Sequence, residues 1–412
     1  MGVITSSAKL IRMVGLLFLF LLPTQLGTFF FFPFSYAHGM RVDYLAPAIY
    51  LTDILVLIMA VLMIVNKRTL ITTLFQSRIL YVIFLFFAIN VATSTEPMIA
   101  LYRVLKWIEV GMVICVFSQF KTKPVVILYA LIAGAVLQLL LVVFQITQNH
   151  TMQGFAYFLG ERSFSLATPG IAKISMQGVE ILRGYGTFSH PNALAGFYLL
   201  AFSWILCDKR FDIEPLKSLF LSASTILILF SFSKIALVGF LLVNVIRILT
   251  MKSTCFVCTF AKILVPITLA SVFFASQGDP DSLDKRIWLA QSALAIIRDF
   301  PLFGVGLGNY IFAQSTIPIP YSYQFLQPVH NIFLLWLSET GIVTNLVILG
   351  GFGFAAYARM IKLAFSWKKY LPIVFVIIFT GFFDHYWLTQ QQNILLAGTV
   401  FGLLQGHKGM VQ

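Results

Sequence analysis

The chain has 412 residues, of which 59% are hydrophobic and 10% are charged, and its mean hydropathy is +0.92. Soluble globular domains carry about 25% charged residues, so this composition excludes an ordinary soluble fold. The net charge of +13 and the 42 Phe residues would also fit a nucleic-acid-binding protein. Aromatic residues within apolar runs are, however, typical of lipid-facing and helix-packing positions, and we expect no nucleic-acid partner.

Apolar runs recur along the whole chain and are separated by short polar stretches. A bilayer core of ~30 Å requires about 20 apolar residues per helix, so we interpret these runs as membrane spans. The pattern predicts an all-α polytopic membrane protein, a single integral membrane domain over residues 1–412 with twelve transmembrane helices. The predicted spans are 14–32, 48–65, 79–95, 99–119, 124–146, 191–206, 218–232, 235–250, 262–276, 342–358, 371–384 and 391–404.

The first apolar run follows two basic residues and precedes Ser35-Tyr36-Ala37, which resembles a signal-peptide cleavage site. The apolar core of a signal peptide has about 7–15 residues, and this run is longer. We therefore expect a retained helix over 14–32.

Basic residues indicate the orientation of the spans. With the N-terminus inside, 18 of the 28 Lys and Arg residues lie in or beside cytoplasmic segments. This positive-inside bias predicts that both termini are cytoplasmic. The assignment depends on a break at Ser231-Phe232-Ser233-Lys234, because without that break every later loop would change sides.

The four cysteines, Cys115, Cys207, Cys255 and Cys258, all lie in predicted cytoplasmic or membrane segments. We therefore expect no extracytoplasmic disulfide. Cys255 and Cys258 have metal-ligand spacing, but no second Cys/His pair accompanies them, so we predict no metal site.

Ionisable residues inside spans are costly, and they usually pair or face a water-filled cavity. Arg103, Lys106 and Glu109 share one face of the fourth predicted span, and Asp53 lies near the start of the second. Lys106 and Glu109 could form a buried pair, and Arg103 could line a cavity beneath the outer loops. These residues also leave open an alternative function, a multi-span transporter of a small anionic or sugar substrate.

The first long extracytoplasmic loop covers 147–190 and leads into the sixth predicted span. Arg183 precedes two glycines, and His190, Pro191 and Asn192 open the helix. The free amides of a helix N-terminus beside an arginine form a ready site for a phosphate group. Ordinary helix capping is the alternative interpretation.

The second long extracytoplasmic loop covers 277–341 and contains an amphipathic helix. Ser282 can cap this helix, and Pro301 ends it. Its apolar positions recur at helical spacing and predict a helix at the membrane surface. The stripe consists of Ile287, Ala290, Leu294 and Ile297.

Three other features of the second loop bear on chemistry. The glycine turn at 304–308 follows no strand, so it fails the context required of a dinucleotide-binding loop. Arg298 and Asp299 are expected to form a surface ion pair at the helix end. His330, next to Asn331, is the side chain best suited to accept a proton near neutral pH, although a structural role is the alternative.

Three stretches occur in order along the chain: RGYGTFSHPNALAG from Arg183, RIWLAQSALAIIRDFPLFGVGLGNY from Arg286 and HNIFLLWLSETG from His330. Together with Asp384-His385-Tyr386 and the final span, they resemble the O-antigen ligase and O-antigen polymerase superfamily of bacterial envelope proteins. Many members have Ser-Arg-Gly between the seventh and eighth spans, where this chain has Ser233-Lys234-Ile235. The positive charge is kept, but lysine cannot bind a phosphate group with two parallel hydrogen bonds as arginine does.

The resemblance implies a GT-C-like bundle and an inverting, metal-independent glycosyltransferase with no cofactor, located in the bacterial inner membrane. Its partners would be membrane lipids, a glycan donor on undecaprenyl pyrophosphate, and a lipid A–core, polysaccharide or protein acceptor. By motif, Arg183 and Arg286 would hold the pyrophosphate, and His330 would activate the acceptor hydroxyl. The other candidate substrate-binding residues are His190, Asn192, Lys234, Arg103 and Asn331. Ligase, polymerase and protein-glycosylating activities stay open.

Overall fold

The computed structural model describes residues 2–66, 78–250, 282–321, 323, 325–362 and 371–406. It is 68% helical with few strands, which confirms the predicted all-α class in outline. The predicted span 262–276 and the Cys255/Cys258 pair lie outside the described residues.

Fourteen α-helices occur within the described ranges. They are α1 (Gly2–Leu21), α2 (Leu51–Asn66), α3 (Arg78–Ala92), α4 (Pro97–Ser118), α5 (Pro124–Gln148), α6 (Pro191–Cys207), α7 (Leu216–Phe230), α8 (Lys234–Thr250), α9 (Ser282–Asp299), α10 (Tyr310–Gln314), α11 (Ile332–Lys362), α12 (Leu371–Gly381), α13 (Tyr386–Thr389) and α14 (Gln391–Gln405). α11 contains a kink at Gly341, where φ is 70° and ψ is 174°. Each predicted span that the structure describes therefore contains at least part of a helix.

The composition of many helices suits a membrane, but their lengths do not all suffice to span one. Among the described residues, α5 is the one helix long and apolar enough to cross a membrane. Several others are apolar but have 10–17 residues, including α6 and α7. The twelve-span layout therefore stays a prediction.

The prediction of a helix through Phe32 is wrong. α1 ends at Leu21, where a turn is closed by the Thr24 amide on the Leu21 carbonyl at 2.8 Å. Pro23 cannot donate a helical hydrogen bond, and the aromatic residues that follow favour extended backbone. Strand β1 (Gly27–Phe29) pairs with β4 (Ala48–Tyr50) in an antiparallel sheet.

The described chain divides into two compact units. The first contains Met1–Ile11, Gly27–Val116 and Leu283–Ser366. Its N-terminal extended segment includes the β1–β4 sheet and a short hairpin of β2 (Tyr36–Ala37) and β3 (Met40–Arg41). The Tyr102 hydroxyl of α4 holds this segment by hydrogen bonds to the amide and carbonyl of Ala48, at 3.1 and 3.0 Å. This structured segment over 27–50 was not predicted.

In the same unit, α9 covers the residues predicted to form the amphipathic helix, and the structure defines its packing face. Trp288, Leu289 and Ile296 are buried, whereas Ile287 and Leu294 of the predicted stripe are 47% and 56% exposed. Both faces of α9 are apolar, so periodicity alone could not indicate which face packs against the protein. The exposed stripe is compatible with the predicted position at a membrane surface.

The second unit contains Arg12–Leu26, Phe117–Ser282 and Trp367–Gln412. Its central helix is α6, which is buried at nearly every position and packs against α7. A helix that is apolar all round belongs in a core or a membrane. A hairpin of β5 (Lys173–Met176) and β6 (Val179–Leu182) leads into α6.

The break between the seventh and eighth predicted spans is confirmed. α7 ends at Phe230 and α8 begins at Lys234. Phe232 between them has φ of 54°, which no helix residue adopts. Two short helices therefore replace the single long one that an unbroken apolar run would form.

Candidate functional site

Arg183 is the centre of a hydrogen-bond chain in the second unit. It directly follows β6, and its Nε donates to the carbonyl of Ser231 at 2.8 Å. Its Nη2 donates to Asn192 Oδ1 at 2.7 Å. Arg183 thereby connects the α7–α8 break to the first turn of α6, two segments that the sequence had singled out separately.

Asn192 also forms a hydrogen bond with the C-terminal region. Its Nδ2 donates to Asp384 Oδ2 at 2.8 Å, and the other carboxylate oxygen accepts from the His385 amide at 2.8 Å. Asp384 and His385 are both buried. Asp384 was not predicted as a site residue, and its one signal in the sequence was the Asp-His-Tyr resemblance.

The start of α6 does not offer the free amides that we predicted. Pro191 has no N–H, and the Asn192 amide donates to His190 Nδ1 at 3.2 Å. The amides of Ala193 and Leu194 both donate to the His190 carbonyl. His190 is thus the N-cap of the helix, as in the capping interpretation. Any anion recognition here depends on the Arg183 side chain rather than on bare helix amides.

Two buried glutamines fix the glycine turn between Arg183 and the helix. Gln138 Oε1 accepts from the Thr187 amide at 2.9 Å, and Gln145 Oε1 accepts from the Gly186 amide at 2.8 Å. Gly186 has φ of 57°, and a Cβ there would overlap Gln138 Oε1. The turn therefore requires glycine, and α5 sets its position.

Lys234 opens α8, where it is exposed, three residues beyond the Ser231 carbonyl that Arg183 holds. The Gly184 amide also donates to the Phe230 carbonyl at 3.0 Å. The motif around Arg183 and the break that contains Lys234 are therefore neighbours in one unit.

In the first unit, the glycine turn is closed by the protein's own groups. Gly304, Gly306 and Gly308 all have positive φ. The amides of Val305 and Gly306 donate to carbonyls of α11, each at 3.0 Å. These bonds, and the position of helix α9 directly before the turn, agree with the rejection of a dinucleotide loop.

Glu339 occupies the place that an anion would take on this turn. Its carboxylate accepts hydrogen bonds from the amides of Gly308 and Tyr310. The residue is buried and precedes the predicted span 342–358. Burial raises the pKa of Glu339 to about 7, and the two amides and the Arg103 charge oppose that rise.

Arg103 supports this part of the unit. Its Nη2 donates to the Tyr44 carbonyl at 2.9 Å, and its side chain lies against Gly308. The predicted pair of Lys106 and Glu109 is confirmed at 3.3 Å, and Lys106 also bonds Asp53. These ionisable residues of the second and fourth predicted spans are therefore engaged with protein groups.

The remaining predicted residues lie in the first unit. Asn331 Oδ1 accepts from the amides of Phe333 and Leu334 at 2.9 and 3.0 Å, so it caps α11. His330 is half-buried directly before this cap. Arg286 is half-buried on α9. The predicted helix-end pair of Arg298 and Asp299 is confirmed at 2.9 Å.

Comparison with known proteins supports the resemblance drawn from the sequence. Residues 193–349 match the family model described as O-antigen ligase. The matched region contains Lys234, Arg286 and His330, and it begins one residue after Asn192. No curated protein matches the chain. The match confirms the similarity to the O-antigen ligase family, and it supports a membrane location and a glycosyltransferase function of the ligase or polymerase type.

Proposed function

We propose that this O-antigen ligase-like protein transfers a glycan from an undecaprenyl-pyrophosphate carrier to an acceptor hydroxyl on the outer side of the bacterial inner membrane. The family match over residues 193–349 carries the proposal. The hydrogen-bond chain from Arg183 through Asn192 to Asp384 supports it, because this chain holds a cation in a defined position.

Arg183 is suited to the donor pyrophosphate. An arginine binds phosphate oxygens with a planar fork, which a lysine cannot do. The Ser231 carbonyl and the Asn192 amide oxygen each accept a hydrogen bond from its side chain. These bonds contribute to the orientation of the guanidinium.

The proposed reaction is a single inverting displacement without a metal. The acceptor oxygen attacks the anomeric carbon, the bond from that carbon to the pyrophosphate oxygen breaks, and the acceptor proton passes to a base. Charge stabilisation on the leaving pyrophosphate comes from Arg183 and Arg286. His330 is the proposed base, and a positioned base contributes ~10²–10⁴-fold. The roles of Arg286 and His330 come from the family motif.

The acceptor class follows from the same resemblance and is a lipid A–core, a growing polysaccharide or a protein. Lys234, His190, Asn192, Arg103 and Asn331 are the proposed surroundings of the substrates. Several of them make structural hydrogen bonds as well: His190 and Asn331 cap helices, Asn192 joins Arg183 to Asp384, and Arg103 holds Tyr44.

The transporter alternative gains no support from the described residues. It requires charges that line a pathway, whereas Lys106 bonds both Asp53 and Glu109. These ion pairs therefore favour the glycosyltransferase over a charge-lined pathway.

Purified protein supplied with a lipid-linked glycan and candidate acceptors tests the proposal. Transfer should proceed in detergent with a chelator and without an ion gradient, and His330→Ala should abolish it at unchanged protein yield. Gradient-dependent uptake of a solute without glycan transfer would overturn the proposal.

A periplasmic reporter fused after Lys234 should be active, and an inactive fusion would reverse the proposed orientation.

A further inference from the structure

A short 3₁₀ turn in the second unit, Gly154–Leu159, exposes three large aromatic side chains. Phe155, Tyr157 and Phe158 are 77%, 62% and 65% exposed. Exposed apolar side chains that cluster within five residues indicate an interaction surface. Neither the family match nor the proposed chemistry uses this turn.

Both ends of the turn are held by close backbone packing and hydrogen bonds, so its exposure is built into the fold. Gln153 before it, Gly154 at its start and Gly160 after it all have positive φ. Gly160 lies against the backbone of Gln25, where a Cβ would overlap. Glu161 is buried, and its carboxylate accepts from the amides of Met152 and Gln153 at 3.1 and 2.7 Å.

The same carboxylate connects the turn to the proposed donor site. Gln145 Nε2 donates to Glu161 Oε1 at 2.9 Å and to the Gly186 carbonyl at 2.8 Å. Gly186 belongs to the turn that follows Arg183. Two buried side chains, Gln145 and Glu161, therefore join the aromatic turn to the backbone beside Arg183.

The position of the turn in the chain indicates its partner. It begins six residues after the end of α5, which among the described residues is the helix both long and apolar enough to cross a membrane. A turn so close to the end of a span lies at the level of the bilayer surface. Aromatic side chains are enriched at that level. The turn has no charged residue, and two of its three aromatics lack any polar atom, which favours lipid over a sugar.

We propose that Gly154–Leu159 is an interfacial anchor that inserts Phe155, Tyr157 and Phe158 into the outer-leaflet boundary between headgroups and acyl chains. This inference rests on the proposed membrane function. Anchoring there would hold the Arg183 segment at the depth where a lipid-linked pyrophosphate meets water.

The test places a fluorescent probe in the turn. Phe155→Trp protein is reconstituted in phosphatidylcholine/phosphatidylglycerol nanodiscs, which leave both faces accessible, and its emission is compared with that of the parent protein. The added emission should be quenched by acyl-brominated lipids and shielded from iodide. Glu180→Trp is the aqueous control, because Glu180 is half exposed and pairs with Lys173 across the hairpin.

Equal quenching by iodide at positions 155 and 180 would overturn the anchor. Protection that requires an added soluble glycan would also overturn it and would assign a sugar-binding surface instead. Neither outcome depends on transfer activity, so the proposed function is judged separately.

A kinetic measurement extends the test. Replacing all three aromatics with Ser should raise the KM for a long-chain lipid-linked donor several-fold in nanodiscs, whereas replacing them with Leu should not. A short-chain donor in detergent should show no difference between the two variants. An equal KM for the long-chain donor in both variants would contradict the anchor.

Discussion

Asn192 and Asp384 are joined by a hydrogen bond of 2.8 Å from amide Nδ2 to carboxylate Oδ2, although 192 residues separate them in the chain. Asn192 uses its amide oxygen at the same time to accept from Arg183. Because an amide has both a donor and an acceptor end, Asn192 can connect a cation with a carboxylate in a fixed order. Arg183 is thereby oriented by a residue near the other end of the chain.

Asp384→Ala should reduce kcat/KM for glycan transfer by about 10–100-fold, because a hydrogen bond to a charged group contributes ~1.5–3 kcal/mol. Asp384→Asn should lose less, since an amide oxygen can still accept from Asn192. Initial rates with purified lipid-linked donor measure both variants. Asp299→Asn, an exposed carboxylate change on α9, is the matched control. Equal rates for Asp384→Ala and that control would contradict the role of the hydrogen-bond chain.

Arg183→Lys should lower kcat/KM by about 100-fold, because a single ammonium cannot reproduce the planar fork. The loss should occur at unchanged protein yield, and donor-binding measurements should show weaker binding of the pyrophosphate. Arg298→Lys provides the control, because Arg298 is an exposed arginine whose partner is the neighbouring Asp299. Transfer by Arg183→Lys within twofold of the control would exclude a bidentate role.

Gly186→Ala should destabilise the protein by about 1–3 kcal/mol, because Gly186 has φ of 57° and a Cβ would overlap Gln138. Gly111→Ala is the counterpart, since Gly111 lies in α4 with open space where its Cβ would be. That change should be neutral or stabilising, as expected for alanine in a helix. Thermal unfolding in detergent distinguishes the two variants. A Tm for Gly186→Ala at or above that of the parent would show that the turn can relax.

Glu339 should make stability depend on pH. Its pKa is raised from 4.5 to about 7 in the folded protein. Between pH 4.5 and about 7, the folded protein therefore binds more protons than the unfolded chain does. The stabilisation is complete below pH 4.5 and is lost as pH rises through about 7. Tm should therefore fall across this window, and the slope should be smaller in Glu339→Gln. The two variants share all other titrating groups, so identical slopes would show that Glu339 does not titrate there.

Much of the local structure could be predicted from the sequence. Apolar runs and their polar breaks correctly located α2 to α8, the interruption before Lys234 and the amphipathic helix α9. These features depend on neighbouring residues, since helix formation and termination are local. The prediction failed between Leu21 and Phe32, where apolar composition is the same for a helix and for a strand and only pairing with Ala48–Tyr50 decided the outcome.

The sequence by itself determined the helical class, the order of the helices and the ordered motifs that resemble the O-antigen ligase family. Only the tertiary structure decided which polar groups meet. It joined Asp384 to Asn192 and Arg183, assigned the helix amides at Asn192–Leu194 to His190, and placed the Glu339 carboxylate on the glycine turn. Apart from the local His190 cap, these contacts join residues that are far apart in the chain, and a buried polar group takes whichever partner the fold brings within reach. Spacing along one chain cannot specify that partner.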